Sequence, residues 1–222
     1  FMAAKKLARG LATRTANKLK RRDHILACAG TMIALDGLDA LTLANLAKRA
    51  DVTVPTIHNL LGKRTDILVT LVTESMEKVM EAGQDPDLSN PITAVTSFID
   101  SLIALYETNE PLYKAAFLAG ERLKFFEHRS AAGIFARSVN EAKAVCREAI
   151  NVGQLEGRIE PDQLAVRLFA SQRLARQDWM NGYIDLKTYR TQVVTGMLIT
   201  LCSDAAPAFK TQLINKINSL KS

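Results

Sequence analysis

The feature that most limits the fold of this chain is the spacing of its apolar residues. They recur every three to four positions along nearly the whole length. That is the repeat of a helix burying one face, and no stretch shows convincingly the period of two that a half-buried strand needs. Glycine and proline, 11 and 6 in 222 residues, are too sparse for turn-rich β structure. Ile25, Ala29, Met32 and Ile33 make one apolar stripe, stopped by Asp36-Gly37, where Gly37 suits a left-handed position after the helix. Ile67, Leu68, Leu71, Val72, Met76 and Val79 make another, ending near Gly83 and followed by the linker-like QDPDLSNP from Gln84 to Pro91. Further helices are predicted over 92–106, 111–120, 131–152, 161–180 and 186–204, with a last one past Pro207. The reading is all-α: three short helices, then six or seven longer ones, with no internal repeat.

Hydrophobic content of 48% beside 23% charged residues is that of a soluble globular protein, long enough for a real core. The charge is unevenly placed. Residues 1–64 hold 12 Lys and Arg against 4 Asp and Glu, whereas the remainder holds 17 against 19. A basic N-terminal third implies an anionic partner there, either nucleic acid or an anionic membrane surface. Cys28, Cys146 and Cys202 lie far apart in apolar helical patterns, so buried reduced thiols and a cytoplasmic location are expected. Phe1 ahead of Met2 reads as a cloning remnant, and no secretory signal is read. The most membrane-like run, Val193 to Cys202, is half the roughly 20 residues a spanning helix needs.

The stretch LTLANLAKRADVTVPTIHNLLGKRTDIL, Leu41 to Leu68, breaks the run of long helices. Thr42 can cap a short helix over 43–50, and Pro55 suits the first turn of another ending near Leu60. Two short helices joined by so tight a turn make a helix-turn-helix. Ala47 supplies the small residue where the two helices pack, and Asp51 is among the few residue types besides glycine that tolerate positive φ. Val52, Ile57 and Leu60 are spaced to lock the second helix. In such a unit the second helix enters the major groove and phosphates are gripped from the flanks. Thr53, Val54, Pro55, Thr56, His58 and Asn59 suit base edges; Lys20, Arg21, Arg22, Lys48, Lys63 and Arg64 suit phosphates. The alternative is a structural helical hairpin whose charges form a solvated face. His58 taken alone fits a surface or core histidine better than a ligand or switch.

The run from Gly37 to Leu68 also resembles the TetR family of bacterial transcriptional repressors. Gly37, Thr42, Leu46-Ala47, Ala50, Val52, Thr56, Ile57 and Arg64 with Ile67-Leu68 carry the likeness, all within the 32 residues from Gly37 to Leu68. The departures are Asp51 for the turn glycine, His58 for a tyrosine, Leu60 and Leu61 for histidine and phenylalanine, and Lys63-Arg64 for a Ser/Asn-Lys lead-in. Weaker echoes are NVGQLEGRIEPDQLA, Asn151 to Ala165, and WMNGYIDLKTY, Trp179 to Tyr189.

Residues 1–20, rich in Lys, Arg, Ala and Thr with few large apolar groups, read from composition as a basic flexible arm; the resemblance implies a helix-turn-helix DNA-binding domain over 21–66 and a larger helical ligand-binding and dimerisation domain over 67–222. Thr42 joins the DNA-contacting set. The implied partners are double-stranded DNA with a near-palindromic operator, a second copy paired through helices near 161–180 and 186–204, and a small-molecule effector that releases the DNA. Phe98, Leu102, Tyr106, Tyr113, Phe117, Phe169, Gln172, Arg176 and Trp179 are the effector-pocket residues to test, though taken singly each fits ordinary core better, and Arg176 a surface ion pair. No cofactor, metal or catalytic residue is expected: there is no Gly-rich phosphate loop, His/Cys cluster, Ser-nucleophile signature or spaced carboxylate pair, and His24, His58 and His128 are isolated. The rival to a ligand-responsive repressor is a protein that coats DNA with little sequence preference and no ligand response.

Overall fold

The structure, a computed structural model, describes residues 2–83, 86–126 and 134–220, with side chains placed for all but residues 2–12, 134 and 135. The described residues form α1 (Met2–Asp36), a 3-10 turn (Leu38–Ala40), α2 (Leu43–Arg49), α3 (Val54–Leu61), α4 (Arg64–Ala82) and α5 (Pro91–Thr108). There follow α6 (Glu110–Arg122), α7 (Ile134–Asn151), α8 (Pro161–Met180), α9 (Leu186–Cys202) and α10 (Pro207–Ser219). The only β feature among them is an isolated antiparallel bridge between Leu155 and Ala205. The all-α reading holds. The expected start of the 131–152 helix and His128 lie outside the described residues.

Local chemistry sets the helix ends. Four helices open on a side chain that accepts from their first free backbone N–H groups: Thr42 for α2, Thr53 for α3, Asn90 for α5 and Asp185 for α9. Pro91, Pro161 and Pro207 occupy first turns, where no N–H is missed. The bond from Thr188 holds the Asp185 carboxyl below its usual range. Gly37 sits at φ 83 after α1, as the sequence suggested.

Residues 2–20, read from composition as an arm, continue α1. Ala, Leu, Lys and Arg are strong helix formers, and Gly10 is the sole breaker among them.

Packing divides the chain into two compact units. One holds residues up to Ser75 together with Glu110–Leu123. Its core joins Ile25, Ile33, Leu46, Ile57, Ile67 and Leu71, all essentially inaccessible. α6 belongs here because it lies on α1, and Gly30 makes the approach possible. A Cβ at Gly30 would stand 3.0 Å from Leu112 Cδ1 and 3.3 Å from its Cα. The expected lock on α3 shifts by one residue: Ile57 and Leu61 are buried, while Val52 and Leu60 are half-buried. Ile57 and Leu61 are one full turn apart and share a face.

The other unit holds Met76–Asn109 and the described residues from Lys124 on. α8 and α9 pack as a hairpin, and a Cβ added at Gly196 would stand 3.2 Å from Ser171 Cβ. Trp179 stacks on Tyr106 with centroids 5.0 Å apart and meets Tyr189 at 5.7 Å. Asp204, fully buried, receives the backbone N–H groups of Gly157 at 2.9 Å, Arg158 at 2.9 Å and Ile159 at 3.2 Å. It thereby fixes the loop between α7 and α8 to the end of α9. Burial, with Asp204 as a second cause, pushes the Cys146 thiol up to about 12. Cys146 is buried as expected, whereas Cys28 and Cys202 are half-buried on helix flanks. Among the described residues no helix is long and apolar enough to cross a membrane.

Candidate nucleic-acid interface and cavity

The turn between α2 and α3 is built almost entirely by backbone. Ala50 N–H donates to Leu46 O at 2.9 Å and Val52 N–H to Ala47 O at 3.0 Å. Between them Asp51 stands at φ 51, the left-handed conformation its residue type tolerates. The Ala47 side chain is buried. Thr53 Oγ1 then accepts from Thr56 N–H at 3.3 Å and lies 2.9 Å from Thr56 Oγ1, starting α3. With Ile57 and Leu61 turned into the core, Val54, Pro55, His58 and Asn59 share the outward face and are exposed.

The residues assigned to DNA from sequence therefore separate into two groups. Thr42 and Thr53 are caps, and Thr56 is engaged with Thr53. Arg22 pairs with Glu74 and reaches Asp23 at 3.4 Å; the Glu74 bond is the main reason its pKa is raised. Arg64 donates Nε to Leu41 O and Nη2 to Leu38 O, both at 2.7 Å. It fastens the start of α4 to the 3-10 turn. Lys20, Arg21, Lys48 and Lys63 are exposed and have no ion pair among the described residues. Glu74 is 52 residues from Arg22, too far for sequence spacing to reveal.

The second unit has a cavity of about 50 Å³ lined by residues of α5, α7, α8 and α9 with Gly83 and Pro86. Ala94, Val95 and Phe98 come from α5; Ser138, Glu141, Ala142 and Val145 from α7; Leu168 and Phe169 from α8; Met197 and Leu201 from α9. Phe98 meets Phe169 edge to face at 5.8 Å. Of the nine pocket residues expected from sequence, these two line it. Leu102, Tyr106 and Trp179 are buried core. Tyr113 and Phe117 belong to α6 and the core of the first unit. The Arg176 guanidinium carbon lies 5.5 Å from the Phe126 ring centroid. Gln172 is buried one helical turn beyond Leu168, its Nε2 unpartnered among the described residues. The α7 side of the cavity was missed, although Ser138, Ala142 and Val145 recur at helical spacing with small side chains. Among the described residues no three His, Cys, Asp or Glu side chains gather as a metal site.

No family model matches the sequence, and no curated protein matches it. Solved structures do match in fold. A gamma-butyrolactone receptor (ArpA-like protein) superposes with a TM-score of 0.63 at 14% identity, covering 92% of this chain and 97% of that one. The TetR-family protein CprB from S. coelicolor A3(2) gives 0.66 at 13% identity, over 91% and 98%. SmeT, the repressor of the Stenotrophomonas maltophilia multidrug efflux pump SmeDEF, gives 0.60 at 18%, over 85% and 92%. With an N-terminal helix-turn-helix and a helical remainder matched over most of each chain, the protein has the fold of the TetR-family transcriptional regulators.

Proposed function

We propose that the protein is a cytoplasmic transcriptional regulator that binds duplex DNA as a homodimer and is released by a small-molecule ligand. The observation that carries this reading is the outward face of α3. Val54, Pro55, His58 and Asn59 are exposed on a helix whose inward face is fixed, and their side chains cap nothing and pair with nothing among the described residues. Asn59 can pair with adenine through two hydrogen bonds, and Val54 can meet a thymine methyl. Lys20, Arg21, Lys48 and Lys63 supply the phosphate grip, while Arg22 and Arg64 act through the protein.

Pairing through α8 and α9 is supported by apolar side chains left in solvent: Val166 and Leu174 on α8 and Ile199 on α9, Leu174 being 70% exposed. A dimer with two-fold symmetry reads a near-palindrome. The cavity supports a mostly apolar ligand with one polar end near Ser138 and Glu141. At about 50 Å³ it is far below the roughly 300 Å³ of an ordinary ligand site, so binding must open it. That coupling is what allows a ligand to shift the population of states. Because fold neighbours include gamma-butyrolactone receptors, lactones with an apolar tail are the first class to screen.

The test is selection of bound duplexes from a random library by the full-length protein at two salt concentrations. A two-fold symmetric consensus is expected. Salt-sensitive binding without a consensus would replace this reading with that of a DNA-coating protein.

A further inference from the structure

Residues 1–22 contain eight Lys and Arg and no Asp or Glu; the first acid in the chain is Asp23. All of residues 13–21 are exposed, and the first buried side chain that follows is Ile25. The N-terminal part of α1 thus contributes nothing to a core from Thr13 to His24, yet it is helical. Helices in proteins owe most of their stability to a packed face, which this segment lacks. Its charges oppose it as well. Arg14 and Lys18, and Lys18 and Arg22, are like charges one turn apart.

Arg14, Lys18 and Arg21 fall on one line at i, i+4 and i+7, spanning about 10 Å of helix. None has an ion pair among the described residues. A surface helix that docks on a membrane carries a broad apolar face opposite its cations. Between Thr13 and Arg21 the one large apolar side chain is Leu19. The ligand chemistry that fits is a rigid polyanion with closely spaced charges and no need of apolar contact.

We propose that the N-terminal extension of α1 is a second DNA-binding element, with Arg14 and Lys18 extending the phosphate contacts of Arg21 beyond those made around α3. The choice of DNA as the polyanion rests on the function proposed above; the placement of the charges does not. Contacts of this kind add affinity and length of protected duplex without adding base preference.

The experiment compares the full-length protein with the double variant Arg14→Gln/Lys18→Gln and the charge-keeping double variant Arg14→Lys/Lys18→Arg. Gln preserves helix propensity, and circular dichroism checks the fold. Affinity for one fixed duplex is measured between 50 and 200 mM salt. Removing two phosphate contacts should lower the log–log salt slope by about 1.8 in magnitude, and the charge-keeping variant should retain the parent slope. The base preference selected from a random library should be the same for all three. An unchanged slope in the Gln variant overturns the proposal, as does binding to phosphatidylserine vesicles in place of duplex. If the parent selects no consensus but the Gln variant still flattens the slope, this element stands and the reading role of α3 falls.

Discussion

Two sharp bends in this molecule are held in opposite ways. The bend between α2 and α3 is local: its backbone bonds span four or five residues, and its one unusual residue, Asp51, contributes a tolerated φ rather than a side-chain bond. The loop between α7 and α8 is held from a distance, chiefly by the carboxylate of Asp204 some 45 residues further along the chain, which takes three backbone donors beside the backbone bonds of Glu156 N–H to Asp204 O and Ala206 N–H to Gln154 O. A local bend can be altered with limited damage, because each of its parts is worth little. A bend gathered on one buried charged group depends on that group. Asp204→Ala leaves three backbone donors without their acceptor, and a loss of about 3 kcal/mol or more is expected. Urea unfolding measures it; a change under about 1 kcal/mol would show that the loop is held by something else. The buried Cys146 thiol reports on the same region. Native protein should leave it unalkylated at pH 8, and the variant should expose it.

Asp51 tests the local bend from both sides. At φ 51 a β-branched side chain is strained, so Asp51→Val should cost about 2 kcal/mol. Asp51→Gly relieves the same position and should leave the protein about 0.5 kcal/mol more stable, since strain relief outweighs the added freedom of the unfolded chain. Opposite signs at one residue are the signature of a conformational requirement. Losses in both variants would instead mean that the carboxylate itself makes a stabilising interaction.

This contrast also explains what the sequence could disclose. Thr42, Ala47, Asp51 and Ile57 announce the bend because helix caps, positive φ and apolar period are all determined within a few residues, whereas Thr53, read as a base-edge residue, is a cap only in the structure. The stripe Ile25, Ala29, Met32 and Ile33 is buried as its spacing implied. Asp204 gives no such sign: an acid just past a helix end looks like any other until the fold brings Gly157 to it. The protein partners of Arg22 and Arg64, both expected at phosphates, were hidden for the same reason. A basic residue beside a reading helix suggests a phosphate contact, and only tertiary structure reveals Glu74 or the carbonyls of Leu38 and Leu41. The cavity was legible only at Phe98 and Phe169, because aromatic residues draw attention and small ones such as Ser138 and Ala142 do not.

The residues of α3 divide by the same logic into those that build the helix and those that are free to read. Thr53→Ala removes the cap and should cost about 1 kcal/mol in a urea titration, with DNA affinity falling equally for every duplex. A base-specific change without a stability change would move Thr53 into the reading group.

Asn59→Ala is the smallest perturbation and the most discriminating. The side chain is exposed and makes no bond among the described residues, so stability should move by less than about 0.5 kcal/mol. If Asn59 pairs with a base, the same substitution should cost about 1–3 kcal/mol of discrimination at one base pair of each half-site, leaving the other positions and the salt slope untouched. Library selection with the variant measures this directly. A uniform loss across all positions would place Asn59 on the phosphates, and no loss at all would turn α3 away from the groove. Either result would leave the local bend intact as a structural hairpin, which is why the reading role has to be tested on a residue that the fold does not need.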